Sequence, residues 1–187
     1  MDEFTYLSVP ISIILGLAVT ELLLRLGRAI QARKRVRFYW PALVWIVILL
    51  VIAVQSWWAL FGLRDYHGWT FLTFLVVLLH PIAFFLMASL VLPDREEFAH
   101  AVDLREHYYA QSRWFFASVL LTIAASLVRP VVLYHAMALN LDVAIQGFLF
   151  VVALIAMVTK AKWYHVLTVV LFGATLSAYI GLLFMHL

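Results

Sequence analysis

Seven side chains interrupt otherwise apolar stretches of this sequence and are the first candidates for chemistry: Glu21, Arg25, Gln55, His80, Arg129, Gln146 and Tyr179. Polar and ionisable groups are expensive inside a bilayer, so each needs a partner or a function. Arg129 is the sharpest case. Its guanidinium stays protonated when buried and presents a planar fork suited to carboxylates and phosphates. No acid falls at its depth in any apolar stretch, so its counter-charge is expected from a loop, a lipid or a ligand. His80 and Arg129 also stand directly before Pro81 and Pro130. Proline lacks an N–H and frees the carbonyl four residues back, here those of Val77 and Ser126. Within a membrane such a group needs a side chain, water or a neighbouring helix to satisfy it.

Two further constellations carry weaker signals. Glu21, Arg25 and Arg28 form a charged stripe with the acid four residues before the arginine, the favourable order for a pair within one helix. That stripe reads as a structural pair, with a proton or cation relay through Glu21 and Arg25 as the sharper alternative. Glu96, His100, Asp103 and His107 recur at helical spacing and contain the ingredients of a metal site, to which His165 could add a ligand. On one helix this stripe falls opposite Phe98, Val102 and Tyr109, so it is expected to face solvent and hold no metal. His100, Asp103 and His107 are kept as metal candidates on that footing. With no cysteine, thiolate chemistry and iron–sulfur ligation are excluded. No GxxxxGK[ST], GxSxG or HExxH pattern occurs, and no cofactor is expected.

The elements that must position these groups follow from composition. Of 187 residues, 66% are hydrophobic and 12% charged, against about 45–50% and about 25% in a soluble domain. A water-soluble fold of this length cannot bury that much apolar surface. Disorder, a soluble enzyme and a nucleic-acid-binding domain are excluded; the net charge is only +3, and no nucleic-acid partner is expected. A spanning helix needs about 20 mostly apolar residues. Six segments meet this, at 5–27, 39–63, 70–92, 113–136, 142–160 and 164–187. The fold class is therefore an all-α integral membrane protein: one six-helix bundle in a single domain. Asp94 and Glu97 read as a capping box, which predicts a short amphipathic helix over 94–111 on the cytoplasmic surface. Three spans on either side of it suggest an inverted repeat on topology alone.

Lys and Arg in short loops set orientation. Arg28, Arg33, Lys34, Arg35 and Arg37 follow span 1, and Lys160 and Lys162 follow span 5. Those loops are expected in the cytoplasm and both termini outside, in a bacterial inner membrane. Asp2 and Glu3 give the N-terminus the wrong charge for a cleavable signal. Trp40, Trp57, Trp58, Trp69, Trp114 and Trp163 fall near span ends, as an interfacial aromatic belt requires. Counting at about 1.5 Å per residue places Gln55, His80, Arg129 and Tyr179 roughly 12–15 Å from the outer ends of four spans. Ser118, Thr122, Ala125 and Arg129 share one face of span 4.

These features predict a small transporter or channel with an outward-facing polar cavity, binding an anionic or polar small ligand through Arg129, His80, Gln55, Tyr179 and Gln146. The alternatives are a non-catalytic assembly partner, lipid binder or sensor, and a membrane enzyme with a His/Asp metal site at the cytoplasmic surface. Membrane lipids are the expected neighbours. Ser8, Ser12, Gly16 and Thr20 of span 1 and Gly173, Ser177 and Gly181 of span 6 form small-residue faces on which a homo-oligomer could build. The topology is directly testable: a C-terminal reporter that works only in the cytoplasm should stay silent, and a working one would reverse the orientation.

Overall fold

In a computed structural model, residues 3–135 and 140–184 are described. They form six helices: α1 Glu3–Gln31, α2 Trp40–Leu60, α3 Phe71–Leu90, α4 Leu104–Tyr134, α5 Leu141–Val158 and α6 Lys162–Phe184. All six are long and apolar enough to cross a membrane, and the chain is an all-α integral membrane protein. The helices match the expected spans to within a few residues at most ends, with a 3₁₀ turn at Phe61–Leu63 completing the second. Residue 136 of expected span 4 and residues 185–187 of span 6 lie outside the described residues.

Local chemistry fixes several helix starts. Thr70 and Thr73 form a reciprocal capping box on α3. The side chains of Asp103 and Asn140 accept from the backbone N–H groups of Arg105 and Val143, at 2.8 and 3.0 Å, and so begin α4 and α5. Exposed residues such as Val47, 60% accessible, and Val158, 74%, belong on the lipid side, since apolar surface facing outward has no water to avoid.

The helices alternate in direction and close into a ring in the order α1, α3, α4, α5, α6, α2, each packed on the next. Both described chain ends fall at one end of the ring, called here the terminal end; the connections 32–39, 91–103 and 159–161 fall at the other, the loop end. A ring of six helices leaves a central space that only large side chains fill. At the loop end that filler is Trp45, 1% exposed, wedged against Phe115, Phe116 and Phe172 at ring-centroid distances of 5.1–5.9 Å. The arrangement does not repeat between chain halves. α1 packs closely on α3, whereas α4 and α6 have no comparable interface among the described residues.

The expectation of one surface helix over 94–111 is corrected. Asp94 does cap as its sequence implied, accepting from Glu96 and Glu97 N–H at 2.9 and 3.0 Å, but it starts only a 3₁₀ turn at Glu97–Ala99. Those two N–H groups hold its carboxyl below the usual carboxylate value, so its contribution to stability is present above that value and lost as pH falls. The chain then runs extended as β2, Val102–Asp103, paired in parallel with β1, Val36–Arg37. Asp103 begins a second helix start, and residues from Leu104 onward are the first turns of α4 itself. At 31 residues α4 is about 46 Å long, more than the roughly 30 Å hydrocarbon layer, so its first turns extend beyond the membrane as part of the same rod.

Trp45→Ala should empty the ring centre and destabilise the protein by about 3–5 kcal/mol, read as a lowered unfolding midpoint in detergent. Trp45→Phe should fall between the variant and the wild type.

Candidate functional site

Above Trp45 the ring is not filled. Toward the terminal end it encloses a cavity of about 770 Å³ lined by all six helices, within the roughly 300–1,000 Å³ range of small-molecule sites. α1 supplies only Ile11 and Leu15. Each of the other five supplies one of the polar groups expected from the sequence: Gln55 from α2, His80 from α3, Arg129 from α4, Gln146 from α5 and Tyr179 from α6. Val77 and Ser126, whose carbonyls are freed by Pro81 and Pro130, line the same space. Leu15, Ile48 and Phe172 form apolar wall between the polar groups and the aromatic core.

Arg129 is half-buried and makes no ion pair among the described residues. Asp142, the acid that shares the cavity, instead accepts from Gln146 Nε2 at 2.8 Å. His80 Nε2 meets Ser56 Oγ at 3.2 Å, which joins α3 to α2 across the cavity wall. Two amide atoms, Gln55 Nε2 and Gln146 Oε1, are buried with no hydrogen-bond partner. An unsatisfied buried polar atom costs about 1–3 kcal/mol. Tyr179, 48% exposed, stands at the margin. Along α4, Thr122 lines the cavity while its hydroxyl bonds back to the Ser118 carbonyl at 2.9 Å.

The other candidates lie outside the cavity. Glu21 and Arg25 form an ion pair at 2.6 Å, and the Arg25 guanidinium also donates to the Leu92 carbonyl, tying α1 to the chain just beyond α3. Neither residue lines the cavity.

The histidine–aspartate stripe is corrected. Glu96 and His100 are exposed and Asp103 is engaged as the α4 cap, but His107 is 9% exposed and turned into the protein. Its two ring nitrogens face Glu97 Oε2 at 3.1 Å and the Leu90 carbonyl at 3.4 Å. The physical reason is the broken linker: without one continuous helix, four residues at helical spacing share no face. Among the described residues, no group of three His, Asp or Glu side chains converges as a metal site would require.

His165 is fully buried. Its Nε2 donates to the Thr159 carbonyl at 2.9 Å, which leaves Nδ1 to accept from the Tyr108 hydroxyl at 3.2 Å. Beside it Tyr39 and Tyr109 share a hydroxyl contact of 3.2 Å. This tyrosine–histidine cluster was missed in the sequence. Its signal was the same matching of depth that collected the cavity residues, applied to the loop-side ends of spans 2, 4 and 6. The small-residue faces also look inward to their own helices: the Ser8, Thr20 and Ser177 hydroxyls each bond a carbonyl three or four residues back.

No protein-family model, curated protein or solved structure matches this chain.

Replacing Gln55 by Leu removes an unsatisfied amide from a largely apolar wall. Gln55→Leu should therefore raise the stability of the ligand-free protein by about 1–3 kcal/mol, seen as a higher thermal midpoint in detergent. An unchanged or lower midpoint would mean that the amide is already satisfied by water.

Proposed function

We propose that this protein is a small transporter or channel whose cavity binds an anionic or polar small ligand at Arg129. One observation carries the reading: an unpaired guanidinium shares a cavity with polar side chains drawn from four other helices. A charge held in a low-dielectric site without a counter-ion is unfavourable, and a bound anion relieves it. Gln55, His80, Gln146 and Tyr179 would supply the hydrogen bonds that orient the ligand. Pro81 and Pro130 lie inside the continuous helices α3 and α4, beside His80 and Arg129.

Orientation adds a direction. Arg33, Lys34, Arg35, Arg37, Lys160 and Lys162 are all exposed at the loop end, and on the positive-inside rule the proposed orientation has the loop end in the cytoplasm and the termini outside, in a bacterial inner membrane. The cavity then opens outward, and the Trp45 cluster closes the path to the cytoplasm. Lipid would cover the outward apolar residues, and a homo-oligomer would use the faces of α1 and α6 where Thr20, Ser177 and Gly181 are exposed.

The test is binding by the purified full chain in lipid nanodiscs, using a panel of small carboxylates and phosphate esters. Arg129→Leu should abolish binding while leaving helicity unchanged. Arg129→Lys should weaken it by about tenfold through loss of the bidentate fork. Undiminished binding by Arg129→Leu would remove the basis of the reading.

A further inference from the structure

We propose that the ligand is a zwitterion with an apolar body, of the kind represented by an apolar α-amino acid. This rests on the cavity reading above and narrows its ligand class.

The cavity holds two full charges of opposite sign, Arg129 and Asp142. They sit on α4 and α5, which are extensively packed neighbours, yet no ion pair joins them. The same cavity is lined by Gln55 and Gln146, which carry two unsatisfied amide atoms of opposite polarity. Gln146 Nε2 is committed to Asp142, so the same amide's Oε1 is the acceptor left without a donor. Gln55 Nε2 is a donor left without an acceptor. The inventory is thus one cation and one donor, suited to a carboxylate, and one anion and one acceptor, suited to an ammonium group.

Charge balance separates the ligand classes. A simple anion would satisfy Arg129 but meet Asp142 as a like charge, and a simple cation would do the reverse. Arg129 is half-buried and Asp142 is exposed at the cavity margin, so a mismatch costs most at Arg129 and is partly screened by water at Asp142. A zwitterion satisfies both groups and leaves the net charge of the cavity unchanged on binding. The remaining wall is apolar, with Leu15, Ile48, Leu149, Phe172 and Leu176 available to an uncharged side chain. A cavity of about 770 Å³ has room for an aromatic body.

Three probes of one size divide the possibilities: L-phenylalanine, 3-phenylpropanoate, which lacks the ammonium, and 2-phenylethylamine, which lacks the carboxylate. Binding is measured calorimetrically to the full chain in nanodiscs. Phenylalanine should bind at least tenfold tighter than either analogue. Asp142→Asn should erase the preference for phenylalanine over 3-phenylpropanoate, and Arg129→Leu should weaken both. Asn140 caps α5, so Asp142→Asn leaves the helix start in place; Gln146→Leu, which removes the unpaired acceptor, should lower the same preference. If 3-phenylpropanoate binds as tightly as phenylalanine and both need Arg129, the zwitterion is overturned while the anion site stands. If none of the three binds, or binding ignores Arg129, both proposals fall.

Discussion

A closed ring of six helices must do something with its centre, and here one side chain does it. Trp45 fills the loop-end half, with Phe115, Phe116 and Phe172 set edge-on or tilted around it. Interiors are packed to near-crystalline density, so the point where large side chains stop is where the cavity begins. Phe172 belongs to both regions, packing on Trp45 on one side and lining the cavity on the other. The division of the bundle into a dense half and a hollow half is therefore a consequence of where the aromatic residues fall on α2, α4 and α6.

That division was partly legible. Six apolar stretches of spanning length define the helices almost without help from other signals, because hydropathy and length alone decide whether a segment can live in a bilayer. The linker was misread for an equally physical reason. Asp94 with Glu97 and Asp103 with its following residues both look like helix starts, and the amphipathic spacing of Phe98, Val102 and Tyr109 runs across both. The structure uses both starts, with an extended break between them. The two-residue strands that occupy the break are too short for any alternation to appear, and their pairing joins positions 36 and 102, far apart in the chain.

The cavity residues were legible because helices that alternate in direction keep a common depth scale. Counting from span ends collected Gln55, His80, Arg129 and Tyr179, and all four line one space. Depth cannot give facing. It therefore could not foresee that Asp142 and Gln146 would be bonded to each other inside that space, or that Trp45 would stand at the centre. Trp45 lies six residues inside span 39–63, no deeper than Trp57 of the interfacial belt, so depth alone did not single it out. His107 and His165 were misplaced toward solvent because a histidine near a span end reads the same whether it turns in or out.

The unbroken length of α4 gives the molecule a mechanical property. Its capping residue Asp103 is joined to the α1–α2 connection through the strand pair, and Arg129 lies 26 positions further along the same rod, a separation of about 39 Å. A helix of this length behaves as a lever. A tilt of roughly 5° about the Arg129 level displaces the Asp103 end by about 3 Å, comparable to the small interface shifts that accompany switching in other proteins. Strand pairing ties the far end of that rod to the basic connection between α1 and α2, so the level of Arg129 and the loop-end surface share one rigid element.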